Sequence, residues 1–187
     1  MAGRRSDTRE RIQQIALELF IDQGYEKTSL REIAERLNVT KAALYYHFRT
    51  KEDIIRSLTD DFSESLDELL AWGPGQPRVD ILRRFADLVS GQFGPVMAFI
   101  QSNQNAMKDL DVHSGFPDKM KALFHLVGSD EDDPATQLRA RLALVAILVG
   151  NSPMFLQETG TETSSEVALE VALELASPRS GPSEPAT

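Results

Sequence analysis

A chain of 187 residues, 41% of them apolar, can bury a core either as one large domain or as a small module joined to a medium one. It has no cysteine, which rules out a disulfide framework and thiolate metal sites, and its formal charge of −9 argues against a nucleic-acid partner unless that charge is unevenly spread. No apolar run approaches the ~20 residues that cross a bilayer as a helix, and Met-Ala-Gly-Arg-Arg opens no signal peptide, so no membrane partner and a cytoplasmic address are expected.

Apolar residues recur at helical spacing along the chain, and no stretch alternates with period two, so the prediction is an all-α fold of about nine helices. The first helix is expected from about Asp7 to Gln23, with Ile12, Ile15, Ala16, Leu19 and Phe20 on one face and Gly24 just past its end. Ser29-Leu30-Arg31-Glu32 has the form of a capping box. It opens a two-turn helix that turns Leu30, Ile33, Ala34 and Leu37 inward. Asn38 tolerates a left-handed backbone, so Leu37-Asn38-Val39 reads as a tight turn. Thr40 then caps a third helix from Lys41 to about His47, and Thr50 with Asp53 caps a long fourth helix that ends at the breaker-rich Trp72 to Pro77.

A fifth helix is expected from about Arg78 to Phe93. Gly94-Pro95 starts a sixth that ends near Leu110, and Phe116-Pro117 starts a seventh. Asp133-Pro134 caps the eighth, and the box Thr163-Ser164-Ser165-Glu166 opens a ninth that runs to about Ala176. The domains expected are residues 1–50, residues 51–176, and a disordered Pro/Ser/Gly-rich tail over residues 177–187.

Charge is indeed uneven. Residues 1–56 carry eleven Lys plus Arg against nine Asp plus Glu, while residues 57–187 carry nine against twenty. Arg4, Arg5, Arg9 and Arg11 cluster where a flexible arm would reach a phosphate backbone, the alternative being a solvated terminus. The second and third helices with their short turn, supported by the first, have the pattern of a helix-turn-helix, whose second helix enters the DNA major groove. Val39, Leu44 and Phe48 would anchor the back of the third helix. Lys41, Ala42, Tyr45 and Tyr46 would face outward, with Lys41 in reach of guanine acceptors and Ala42 in reach of a thymine methyl.

Gly24-Tyr25, Thr28 to Ala34, Val39 to Phe48 and Lys51-Glu52 together closely resemble the DNA-binding domain of the TetR (tetracycline repressor) family. The resemblance covers roughly residues 8 to 56. It implies an N-terminal three-helix DNA-binding domain joined by a long helix to a helical ligand-sensing and dimerisation domain. It also implies that Tyr45, Tyr46, His47 and Lys51 contact DNA, and that Ser29, Leu30 and Arg31 lie beside the backbone at the N-terminus of the second helix. Spacing makes Leu30 a core residue instead. The DNA-binding set is therefore Ser29, Arg31, Thr40, Lys41, Ala42, Tyr45, Tyr46, His47 and Lys51. Asn38 stands where the family more often has glycine in the turn, and Ala42 where glycine is also frequent.

One helix-turn-helix buries only about 600–1,000 Å² of protein surface on DNA, so two copies and a roughly palindromic double-stranded operator are expected. Leu138, Leu142, Val145 and Val149 on the eighth helix, with Val167 and Val171 on the ninth, are the expected homodimer interface, because apolar residues extend almost all round these helices. Phe85, Met97, Phe99, Asn103, Met107, Phe116, Met120 and Phe124 form an aromatic and methionine-rich set. By resemblance, that region encloses an unidentified small-molecule inducer, although such residues also suit a plain core.

His47, His113 and His125 lack metal-ligand spacing, and there is no nucleophile elbow, P-loop or dinucleotide fingerprint. An enzyme, a cofactor and a metal are therefore not expected. The acidic run Asp130 to Asp133 is better explained as a loop feeding a helix N-terminus. The expectation is a sequence-specific transcriptional regulator, in family terms a repressor released by its inducer. The alternative is a helical protein-interaction module whose helix-turn-helix no longer binds DNA.

Overall fold

The computed structural model describes residues 3–103, 115–129, 132–151 and 165–177, and every regular element among them is helical. The α-helices are α1 (Gly3–Asp22), α2 (Leu30–Arg36), α3 (Lys41–His47), α4 (Lys51–Trp72), α5 (Arg78–Leu88), α6 (Gly94–Ser102), α7 (Phe116–Val127), α8 (Pro134–Gly150) and α9 (Ser165–Ala176). The described residues fall into two compact units. One comprises those of 1–65 and 92–116, the other those of 66–91 and 117–187, and α4 passes from the first to the second after Ser65.

Two boundaries differ from the periodicity. α1 begins at Gly3 rather than Asp7, so the supposed arginine arm is helical. Arg9 within it is held by Asp61 at 3.4 Å and lies over the Phe48 ring at 5.7 Å. The fifth helix stops at Leu88, and Val89–Phe93 forms a π-helical turn interrupted at Gly91. Periodicity could not see this break, because Val89 and Phe93 stay apolar four residues apart and both are buried. The expected extension of the sixth helix to Leu110, Thr163 and Ser164 of the last capping box, and the tail beyond Ser177 lie outside the described residues.

The core of the first unit is built from Ile12, Ala16 and Phe20 of α1, Ile33 and Ala34 of α2, Leu44 and Phe48 behind α3, Ile54, Ile55 and Leu58 of α4, and Val96, Phe99 and Ile100 of α6. Each large apolar side chain buried in this way contributes about 1.5–3 kcal/mol relative to exposure. Three rings meet in it: Phe20 and Phe99 stack with centroids 5.5 Å apart, and Tyr25 lies 5.1 Å from Phe20 and 5.9 Å from Phe99. A buried polar seam joins α1 to α4. Gln13 Nε2 donates to Ser57 Oγ at 2.9 Å and to Asp61 Oδ2 at 2.6 Å, and Ser57 Oγ donates to the Ile54 carbonyl at 2.8 Å. With both amide hydrogens placed, Gln13 escapes the penalty of an unpaired buried donor.

The turns follow their local chemistry. Gly24 ends α1 with φ +95°, a conformation that disfavours any side chain, and Asn38 takes φ +55° between α2 and α3. There the Val39 amide donates to the Ala34 carbonyl at 3.0 Å and closes the turn. Because an L-residue in the left-handed region carries strain that glycine lacks, Asn38→Gly should raise stability by a few tenths to about 1 kcal/mol. Chemical denaturation will read this as a higher midpoint with an unchanged slope.

In the second unit, α8 and α9 pack against each other and α5 packs against both. Small residues let the two backbones approach: Ala168, Ala172 and Ala176 of α9 are buried, as are Ala140 and Ala143 of α8 beside Leu144 and Ile147. Arg78 at the start of α5 donates from Nε to the Val127 carbonyl at 2.6 Å and pairs with Asp132. Asp133 caps α8, accepting from the Ala135 and Thr136 amides at 2.9 and 3.2 Å and from the Thr136 hydroxyl at 2.5 Å.

Those bonds, from Thr136 first and then Ala135, hold the Asp133 carboxyl below its ordinary value. A depressed folded-state pKa supplies stability above the unfolded value, near pH 4, that is lost as pH falls through the folded one. Asp133→Ala should accordingly melt below the parent at pH 7. The gap should start to narrow below about pH 4 and close as pH falls through the lower folded-state value, where the parent carboxyl protonates.

Candidate nucleic-acid interface

The front of the first unit is set by two caps and one turn. Ser29 accepts from the Glu32 amide at 3.2 Å, while the Ser29 amide donates to Glu32 Oε2 at 2.7 Å, so the capping box at α2 is complete. Bonds from the Ser29 hydroxyl and amide hold the Glu32 carboxyl below its usual range. Thr40 caps α3 by accepting from the Ala43 amide at 3.1 Å. Both helices therefore start where local side-chain chemistry ends the turn before them.

On α3 the two faces separate cleanly. Leu44 is fully buried and Phe48 nearly so, while Val39 packs on the core edge. Lys41, Ala42, Ala43, Tyr45 and Tyr46 are exposed, Tyr45 at 41% and Tyr46 at 68%, although both are large rings that normally bury. The Lys41 ammonium lies 5.3 Å from the Tyr45 ring centroid, and the Tyr46 and His47 rings meet edge to face at 5.4 Å. The outward face is thus a short strip of cation, methyl groups and aromatic rings with hydroxyl tips, a composition that can donate to phosphates and meet base edges.

Ser29, Arg31 and Lys51 flank this strip in different states. The Ser29 hydroxyl is occupied in the capping box, bonded to the Glu32 amide and carboxylate. Arg31 is highly exposed and paired with Glu35 one helical turn on, at 2.7 Å. Such an exposed pair is weak enough to open for a phosphate. Lys51, at the start of α4, is half-buried, its ammonium donating to the Tyr25 carbonyl at 2.6 Å and lying 4.2 Å above the Tyr25 ring. The Tyr25 hydroxyl in turn donates to Glu52 Oε1 at 2.7 Å. This seat was not legible in the sequence beyond the Gly24-Tyr25 pair.

The proposed pocket residues divide between the units. Phe99, Asn103 and Phe116 belong to the first, where Phe99 packs on Phe20 and Tyr25, Phe116 lies 5.9 Å from Phe62, and Asn103 Nδ2 donates to the Phe99 carbonyl at 2.9 Å. Phe85, Met120 and Phe124 belong to the second, the first two buried and Phe124 half-buried. Met107 and the Met97 side chain lie outside the described residues. All of the expected interface residues are exposed in the single chain: Leu138 57%, Leu142 43%, Val145 40%, Val149 37%, Val167 45% and Val171 42%. Among the described residues no group of three or more His, Cys, Asp or Glu side chains could hold a metal ion, and no helix is long and apolar enough to cross a membrane.

Residues 12–58 match the model of bacterial regulatory proteins of the tetR family. The chain is 38% identical over 81 residues to the HTH-type transcriptional regulator AcrR of Shigella flexneri, covering 41% of this chain and 37% of that one. It is 38% identical over 71 residues to the A-factor receptor protein of Streptomyces griseus, covering 38% and 26%. These matches span only about a third of the length of such relatives. In overall fold the chain is similar to a transcriptional regulator of Aquifex aeolicus, with TM-score 0.63, 20% identity, and 90% and 95% of the two chains covered. The Bacillus subtilis regulator FadR, solved in complex with stearoyl-CoA, aligns with TM-score 0.57 at 14% identity, over 90% and 97%. Residues 12–58 thus carry the likeness to the tetR family of bacterial regulatory proteins, and the all-helical fold is that of the solved regulators.

Proposed function

We propose that the protein is a cytoplasmic, homodimeric, sequence-specific DNA-binding regulator, acting as a repressor that a small-molecule inducer releases from a roughly palindromic operator. The observation that carries this reading is α3, whose back is buried through Leu44 and Phe48 while Lys41, Ala42, Tyr45 and Tyr46 are exposed on its front. In a helix-turn-helix, that front lies in the major groove, with the α2 N-terminus and Lys51 against the flanking phosphates. Residues 1–50 form the DNA-binding domain in this reading, and residues 51–176 the regulatory one. The apolar row Leu138, Leu142, Val145 and Val149 with Val167 and Val171 pairs with its own copy about a two-fold axis, since a monomer rarely leaves so continuous an apolar row in water.

The inducer is received in the second unit, at Phe85, Met120 and Phe124, whose rings and thioether suit a large apolar ligand. Stearoyl-CoA on a protein of the same fold is a precedent for such a ligand. Release requires the ligand to favour a conformer in which the two recognition helices no longer fit successive grooves.

Salt titration of binding to a labelled duplex tests the reading. Affinity should fall linearly on a log–log plot with a slope set by the phosphates neutralised, and Lys51→Ala should reduce that slope by about one unit. Absent or salt-independent binding would instead favour a helical protein-interaction module.

A further inference from the structure

We propose that Tyr25 is a positioning residue of the DNA interface: its ring and its carbonyl together hold the Lys51 ammonium at the start of α4. The inference rests on the reading of Lys51 as a phosphate contact and adds what aims it. A free lysine samples many rotamers, and a phosphate contact must stop that motion on binding, which reduces affinity. Here most of that ordering is already present in the protein without DNA. The ammonium donates to the Tyr25 carbonyl at 2.6 Å and sits 4.2 Å over the ring, which leaves donors of its three hydrogens for a phosphate oxygen.

The ring itself cannot swing away. It is 5% exposed, wedged against Phe20 and Phe99, and tethered at its far end by the hydroxyl bond to Glu52 at 2.7 Å. That tether also occupies a carboxylate next in sequence to the cation. Burial and the Glu52 carboxylate push the Tyr25 phenol above its ordinary value, so it stays a donor throughout the physiological range. Burial raises Glu52, but the Tyr25 hydroxyl, then its own amide and the Thr50 hydroxyl, and the Lys51 charge outweigh it and keep the carboxylate ionised. Cation, ring and carboxylate are thus joined in one group through the Lys51–Tyr25 and Tyr25–Glu52 contacts.

The test is a double-mutant cycle on the full-length protein, with affinity measured on a fluorescein-labelled duplex of mixed sequence, because a phosphate contact does not depend on base identity. Tyr25→Leu, which removes the ring face, should weaken binding about three- to tenfold when Lys51 is present. In the Lys51→Ala background it should have no effect. Tyr25→Phe, which keeps the ring, should stay within about twofold of the parent.

Equal losses from Tyr25→Leu in both backgrounds would mean that Tyr25 only supports the fold, and would overturn the proposal while leaving Lys51 as a contact. If Lys51→Ala changes neither affinity nor salt slope, Lys51 is no phosphate contact and the role of Tyr25 falls with it. Should Tyr25→Leu fail to fold by circular dichroism, proton NMR of the parent and of Tyr25→Phe still decides. The Lys51 ε-methylene protons, identified by their loss in Lys51→Arg, should be shifted upfield by the ring current in both. Ordinary lysine shifts would overturn the proposal.

Discussion

Leu142→Glu should yield a folded, single chain that no longer binds DNA at concentrations where the parent is saturated. Leu142 is 43% exposed in the isolated chain, so a carboxylate there meets water and the second unit tolerates it. In a two-fold interface the same position is covered, and each dimer would then hold two unpaired carboxylates away from solvent. An uncompensated buried charge costs about 3–5 kcal/mol, so even one copy should weaken association by more than about a hundredfold. Sedimentation will show the change in mass. DNA affinity should fall with it, because one recognition helix buries too little surface to hold an operator. A variant that sediments as a dimer and binds normally would place the interface elsewhere than on this row.

The second large effect is expected at Leu44. Its side chain is fully buried behind α3, and Leu44→Ala removes three heavy atoms from a packed site that α1 and α2 cannot collapse to fill. Such truncations cost about 2–5 kcal/mol, a large share of the 5–15 kcal/mol that stabilises a typical domain. Denaturant unfolding should show the loss directly, and DNA binding should fail at the denaturant concentration where the first unit opens.

Tyr46→Ala is the matched control on the opposite face. At 68% exposure it should alter stability by no more than about 0.5 kcal/mol while still reducing DNA affinity. If the two substitutions behaved alike in both assays, α3 would not have the two faces described.

What could be read from the sequence is what depends on neighbours within a turn or two. The Ser29–Glu32 box, the caps at Thr40 and Asp133, and the left-handed Asn38 each rest on bonds between residues at most a few positions apart, and each forms where its residues stand. The split of α3 into a buried Leu44 and an exposed Tyr46 is legible for the same reason, because helical spacing alone puts them on different sides. So is the exposure of Leu142 and Val145, which follows from a helix with more apolar residues than one buried stripe can take.

What could not be read are pairings across long stretches of chain. Nothing near Arg9 says that Asp61 will hold it, and nothing near Phe99 says that it will stack on Phe20. Its aromatic character fitted a ligand pocket as well as a core, and periodicity cannot tell the two apart. Lys51 reads as a free cation at a helix start, whereas its ammonium is already placed by a residue before α2.

The membership of α6 in the first unit has a practical consequence for anyone excising the N-terminal helices. A fragment ending at residue 50, or even at Ser65, would lack Val96, Phe99 and Ile100, and would leave Phe20 and Tyr25 facing solvent where they now meet an aromatic neighbour. Such a peptide should bind hydrophobic dyes and give poorly dispersed spectra. Joining this first unit to a different second domain would therefore mean carrying the α6 segment along, or supplying three apolar side chains in its place.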